Sequence, residues 1–113
     1  MYGWSYACIY TDEAKSRSYE LLRSWLSPLQ LMQLEYDGRF EVRGSDGGRY
    51  VISDGSRYFN VREKNKDAWH CFVPAGSLPP GDIMLAQKIA LETDEEAAIT
   101  CANHRIQPFT SIF

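Results

Sequence analysis

Polar and apolar positions alternate with a period of two along one central stretch, RFEVRGSDGGRYVISDGSRYFNVREKNKDAWHCFVP (residues 39–74), and with a helical period on either side of it. In Phe40-Glu41-Val42-Arg43 the alternation puts Phe40 and Val42 on one face of a half-buried strand. Gly44-Ser45-Asp46-Gly47-Gly48 supplies the backbone freedom of a hairpin turn. Arg49-Tyr50-Val51-Ile52, aromatic and β-branched, predicts the second strand, and Asp54-Gly55 the second turn. Residues 57–62 predict a third strand, with either Phe59 and Val61 or Tyr58 and Asn60 inward. A polar turn follows at 63–67. Residues 68–73 predict the fourth strand, Trp69, Cys71 and Val73 on one face and His70 and Phe72 on the other. Pro74 lacks the N–H that pairing requires and ends the set. The prediction is an antiparallel meander.

Before the meander, Thr11 or Asp12 can cap a helix that carries Asp12 and Glu13 at its positive end. It runs to about Leu26, with Tyr19, Leu22 and Leu26 as its apolar stripe and Leu21 and Trp25 widening it. Ser27-Pro28-Leu29-Gln30 restarts a helix: Ser27 is the N-cap, Pro28 the first helical residue and Gln30 the reciprocal capping-box partner. Leu29, Met32 and Tyr36 are expected as its buried stripe, Leu31 and Leu34 lie alongside, and Gly38 ends it. After the connector AGSLPPG, a third helix starts at Asp82. Ile83, Met84, Leu85, Ala86, Ile89, Ala90 and Leu91 nearly encircle it, leaving Gln87, Lys88 and Glu92 as its polar residues. Such a helix is central, with Leu85 and Ile89 expected against the sheet. Thr93 or Asp94 caps a fourth helix, with a small-residue face of Ala97, Ala98, Ile99, Cys101 and Ala102. The expected fold is a single α+β domain: an aromatic arm at 1–10, two N-terminal helices at 12–38, a four-stranded antiparallel β-meander at 39–74, two C-terminal helices at 82–104 and a tail at 105–113.

A chain of 113 residues, 44% hydrophobic and 24% charged, fits one globular domain. No apolar run reaches the ~18 residues of a membrane helix, so no membrane partner is expected. The opening MYGWSYACIYTDEA has no basic n-region or long apolar core of a signal peptide. Three cysteines at no regular spacing argue against a disulfide framework and for a reducing, cytoplasmic setting. Charge is unevenly spread. Residues 39–66 hold seven basic and four acidic side chains, a balance of +3, while the remainder holds five basic and eleven acidic, a balance of −6. The sheet is basic and the helices are acidic.

The order of LSPLQLMQLEYDGRFEVRGSDGGRYVI, then FNV, then HCFVP, then PPGDIMLAQKIALETDEE, over residues 26–97, resembles a group of short uncharacterised bacterial and phage-borne proteins. That resemblance implies a fold, and a phage-type inhibitor or accessory subunit acting in a bacterial cytoplasm. A looser likeness is to SWIM zinc fingers, in which a hairpin with Cys-x-Cys precedes a Cys-x-His at a helix start. Here Phe72 and Val73 follow Cys71, and no Cys or His lies between Phe72 and Thr100, so the zinc ligands are missing.

Chemistry-bearing residues are sparse. His70 and Cys71 are adjacent on a strand and point to opposite faces, which disfavours a shared metal or a nucleophile–base pair. Gly44 to Gly48 lacks the Lys-Ser/Thr and following helix of a phosphate-binding loop. Neither catalytic residue, metal site nor cofactor is expected. The expected role is a non-enzymatic small interaction protein that binds another macromolecule, with a protein as the first candidate partner. Two surfaces stand out. The aromatic and apolar ends, Tyr2, Trp4, Tyr6, Phe109, Ile112 and Phe113, are expected to form an association surface for a partner or a second copy. Arg43, Arg49, Arg57, Tyr58 and Arg62, with Tyr50, Phe59 and Trp69 nearby, are the candidate binding residues of a sheet face. That face reads either as a stacking platform for single-stranded nucleic acid or as a solvated surface whose arginine stems cover apolar groups. An acidic chain is not the usual footprint of a dedicated nucleic-acid binder.

Overall fold

The four-stranded antiparallel meander stands between two helical pairs, as the periodicities require, and a fifth strand extends it. A computed structural model of the chain describes residues 11–72 and 78–106, with side chains up to Ala102. Tyr2, Trp4, Tyr6, Phe109, Ile112 and Phe113 lie outside the described residues. The elements in order are α1 (Asp12–Trp25), α2 (Pro28–Asp37), β1 (Phe40–Arg43), β2 (Arg49–Ile52), β3 (Val61–Glu63), β4 (Ala68–Cys71), α3 (Pro80–Thr93), α4 (Glu95–Cys101) and β5 (Asn103–Ile106). The sheet order is β1-β2-β3-β4-β5, with every pairing antiparallel. Among the described residues, no helix is long and apolar enough to cross a membrane.

Several expected boundaries change. The C-terminal helical pair ends at Cys101 instead of 104, and residues 103–106 pair with β4 through Cys71↔Asn103, His70↔His104, Trp69↔Arg105 and Ala68↔Ile106. Asn and His are weak helix formers, and the open edge of β4 offers these residues a ladder of backbone partners. The third strand shrinks to Val61–Glu63. Asp54 draws the chain ahead of it into a turn, its side chain accepting from the backbone N–H and hydroxyl of Ser56, and Phe59 adopts a positive φ of 54°.

The capping chemistry is as expected. Thr11 caps α1, Ser27 and Gln30 form the reciprocal box of α2, Gly38 closes α2 at φ 73°, and Asp94 caps α4. The third helix starts at Pro80, two residues before the expected Asp82, and its N-cap Pro79 has no side chain to offer. Ser18 of α1 takes that role. Its buried hydroxyl accepts from the Gly81 N–H at 3.2 Å, and a Cβ on Gly81 would collide with the backbone of Ser18, so the two helices cross at the closest approach a glycine allows.

The core lies between one sheet face and the helices α1 and α3. Phe40, Val42, Tyr50, Ile52 and Val61 point into it from the sheet, and Leu22, Met84, Leu85 and Leu91 from the helices. Several helical expectations are corrected. Leu29, Met32 and Tyr36 are exposed, Tyr36 to 84%, instead of forming the buried stripe of α2. The cause is polar. The edge strand β1 has an outward-pointing N–H and C=O at Glu41, and α2 satisfies both with amide side chains, Gln33 Oε1 accepting from the Glu41 N–H and Gln30 Nε2 donating to the Glu41 C=O, each at 2.9 Å. With Gln30 and Gln33 turned to the sheet, the Leu29–Met32–Tyr36 side turns outward. Leu21 and Trp25 of α1 are likewise exposed instead of widening a buried stripe.

On α3, Leu85 is buried as expected but Ile89 is 39% exposed. Gln87 and Lys88, two of the polar residues of this helix, are buried. Gln87 and Asn60 exchange two amide hydrogen bonds at 2.9 Å, and Gln87 donates a third to the Phe72 C=O, so the pair ties α3 to the 53–60 loop and to the end of β4. Lys88 is bidentate to Glu92 at 2.8 and 2.9 Å. Leu22→Ala and Leu85→Ala are each expected to lower unfolding free energy by ~2–5 kcal/mol in urea denaturation, and Ile89→Ala by less than about 1 kcal/mol. A loss at Ile89 matching that at Leu85 would contradict this packing.

Candidate functional site

Burying Phe40, Val42, Tyr50, Ile52 and Val61 on one face commits the intervening residues to the other. Parity and register bring Glu41, Val51, Arg62 and Trp69 into one row across β1 to β4, through Glu41↔Val51, Val51↔Arg62 and Arg62↔Trp69. Arg43 and Arg49 stand opposite each other in the next row, two residues or about 7 Å along the strands. This outer face is basic.

Its relief consists of two adjoining cavities that share Arg39, Ser53 and Trp69. One, of about 240 Å³, is lined further by Gln33 and Asp37 of α2 and by Glu41, Val51, Arg62 and Lys64. The other, of about 250 Å³, lies under the loop between β2 and β3, with Arg57, Tyr58, Phe59 and Asn60 in its wall. Of the residues expected to bind, Arg57 and Tyr58 share the second cavity and Arg62 lines the first. Arg43 and Arg49 extend the same face but line neither. Tyr50 is separated from them altogether, since its side chain is buried on the inner face. Arg39 was not singled out in the sequence, although its parity with Glu41 and Arg43 carried the signal.

The charges divide into two kinds. Lys64 pairs with Glu41 at 3.0 Å and Arg62 with Asp67 at 3.7 Å, half-exposed contacts worth ~0–1 kcal/mol each. Arg39, Arg43, Arg49 and Arg57 have no carboxylate partner among the described residues. The indole N–H of Trp69 is buried with no acceptor among the described residues, an uncommon state for a buried donor. Phe59, at positive φ, stands in the wall of the second cavity, where a bulky side chain is a backbone outlier.

The inner face holds a second polar group, which closes instead of opening a site. Glu95, the first residue of α4, reaches into the β1–β2 hairpin. Its carboxylate accepts from the Asp46 N–H at 2.7 Å, from the Gly48 N–H at 3.3 Å and from the Tyr50 hydroxyl, while the Glu95 N–H donates to Ser45 Oγ at 2.9 Å. A Cβ at Gly44 or Gly48 would fall on that carboxylate. The glycine-rich loop therefore does cradle an anion, and the anion is the chain's own. Burial pushes the Glu95 carboxyl up, but the bonds from Tyr50, Asp46 and Gly48 and the charge of Lys66 outweigh it and hold it below the ordinary carboxylate value. Burial first, then the bond to Glu95, raises Tyr50 far above the ordinary phenol value, so it remains a neutral donor. Beside them His70 Nε2 meets Glu63 Oε1 at 3.0 Å, buried, while Cys71 faces the other side of the sheet. The geometry keeps His70 and Cys71 apart. Among the described residues, no three His, Cys, Asp or Glu side chains gather as metal ligands.

Compared with protein-family models, with curated proteins and with solved structures, the chain matches none.

Two outcomes follow from the clamp. Because the Glu95 carboxyl is held below its unfolded value of about 4.3, its stabilisation is complete above that pH and disappears as pH falls through the lowered value. Glu95→Gln should therefore destabilise at neutral pH and flatten the acid limb of a stability profile below about pH 5. Gly44→Ala, whose Cβ would meet the Glu95 side chain, should cost about 1–3 kcal/mol, through donors left unsatisfied, and much less in a Glu95→Ala background; additivity of the two in a double-mutant cycle would exclude the clamp.

Proposed function

We propose that the chain is a non-enzymatic interaction protein whose working surface is the outer face of its sheet, and that this face holds an extended polyanion. The observation that carries the reading is the set of four arginines, Arg39, Arg43, Arg49 and Arg57, gathered round one open face without carboxylate partners among the described residues. Like charges placed together repel, and the nearby acids Glu41 and Asp67 pair with Lys64 and Arg62, leaving these four arginines unmatched. Guanidinium groups carry fixed forks of donors that match phosphate and carboxylate oxygens. The overall charge of −3 confines this attraction to the one face and gives such a protein little affinity for polyanions elsewhere.

The exposed stripe of Leu29, Met32 and Tyr36 on α2, with Leu21 and Trp25 on α1, supports a second reading. An apolar helix side turned to water suits a protein partner, and the inhibitor or accessory role implied by the resemblance would use it. That reading predicts that Leu29→Asp with Met32→Asp leaves the melting temperature unchanged and abolishes any self-association seen in sedimentation. A loss of stability would instead place these residues in the monomer's own packing.

The polyanion reading is tested on immobilised heparin at low ionic strength. An acidic protein with this face should be retained and should elute as salt rises, and the triple change Arg43→Glu, Arg49→Glu and Arg57→Glu should abolish retention without unfolding. Flow-through of the unaltered protein would remove the reading.

A further inference from the structure

We infer that the cavity under the β2–β3 loop is a nucleotide pocket, taking one residue of a single strand of nucleic acid with its base against Tyr58 and Trp69 and its phosphate on Arg39 and Arg57. The inference rests on the polyanion reading and narrows it. Its wall holds two arginines and no acid: Arg39, Ser53, Arg57, Tyr58, Phe59, Asn60 and Trp69. A carboxylate-rich polypeptide would be served by the arginines alone and would gain little from three aromatic rings. A nucleotide uses both, since each base has a π-face for an aromatic ring and each phosphate suits a guanidinium.

Three observations bear on this cavity in particular. Tyr58 is 69% exposed at its rim, a large ring kept in water where a base can cover it. Trp69 forms the wall shared with the neighbouring cavity, so its ring surface faces the same space as Tyr58. Phe59 is held in the left-handed region between Tyr58 and Asn60, and the buried Asn60–Gln87 amide pair anchors the loop at that point. The rim is thus fixed to α3 before any ligand arrives, which lowers the ordering cost of binding. The volume, about 250 Å³, lies just under the roughly 300 Å³ at which small-ligand sites begin, enough for a single base. From this pocket a strand can continue past Arg62 and Lys64 towards Arg43 and Arg49.

The test is fluorescence anisotropy with a labelled oligothymidylate, an oligouridylate and a labelled oligoglutamate of equal length, over a range of salt. The protein should bind the nucleic acids in preference to the oligoglutamate. Tyr58→Ala should weaken nucleic-acid binding by roughly five- to hundredfold, the range of a single lost stacking contact, with an unchanged salt slope. Arg57→Ala should lower that slope by about 0.7, the value for one phosphate contact on a single strand. Melting temperatures of the Tyr58 and Arg57 variants should match the parent, since both residues are exposed. Equal binding of all three polymers, with Tyr58→Ala neutral, overturns the nucleotide pocket and leaves the polyanion face standing. Binding of oligoglutamate alone does the same. Binding of none overturns both.

Discussion

The carboxylate of Glu95 is the contact on which the two halves of this fold depend. It joins the first turn of α4 to the β1–β2 hairpin through two backbone amides and the Tyr50 hydroxyl, and the return bond from the Glu95 N–H to Ser45 closes the ring. A buried ionised group is tolerable only when its acceptor sites are filled, and here donors fixed by a tight loop fill them. The consequence reaches beyond the loop. With α4 docked on the hairpin, the chain leaves it at Ala102 in an extended conformation and runs back along β4 as β5. Glycine is required at 44 and 48 because the carboxylate occupies the space a Cβ would need.

Polar groups likewise decide how the helices are oriented on the sheet. Two glutamines of α2 satisfy the free backbone of Glu41 and so blunt the β1 edge, and that choice turns Leu29, Met32 and Tyr36 away from the core. Gln87 of α3 is drawn into the protein interior by Asn60, and Ile89 is left outward. For the buried Asn60–Gln87 pair an unsatisfied hydrogen-bonding group would cost ~1–3 kcal/mol, comparable to what burying one more aliphatic side chain returns. Where the two compete, the hydrogen bonds set the rotation of the helix.

The outer face inverts this economy. Among the described residues, four of its arginines, Arg39, Arg43, Arg49 and Arg57, have no carboxylate partner, the tryptophan N–H has no acceptor, and the loop beside it holds a strained phenylalanine. Local rules that are obeyed elsewhere in the chain are broken together in one place, and the proposed binding role of this face rests on that coincidence.

Much of the fold was legible in the residues. Phe40/Val42 parity, the Gly44 to Gly48 turn, the Ser27-Pro28-Gln30 box and Gly38 each specify local geometry through contacts a few residues apart, and each stands as read. The basic character of the meander and the candidates Arg43, Arg49, Arg57, Tyr58 and Arg62 came from composition and alternation alone. What the sequence could not decide were questions of partnership. Periodicity marks the stripe Leu29–Met32–Tyr36 as apolar, but only the free edge of β1 determines which side of α2 faces the sheet. Glu95 reads as an ordinary first-turn acid until the hairpin some fifty residues earlier is folded against it. Arg39 and Trp69 become neighbours only through the register of β1 to β4 and the fold of the 53–60 loop. The division has one physical cause: backbone conformation and facing are governed by neighbours along the chain, whereas the satisfaction of a buried donor, acceptor or charge is governed by whatever distant group the tertiary fold brings within about 3 Å.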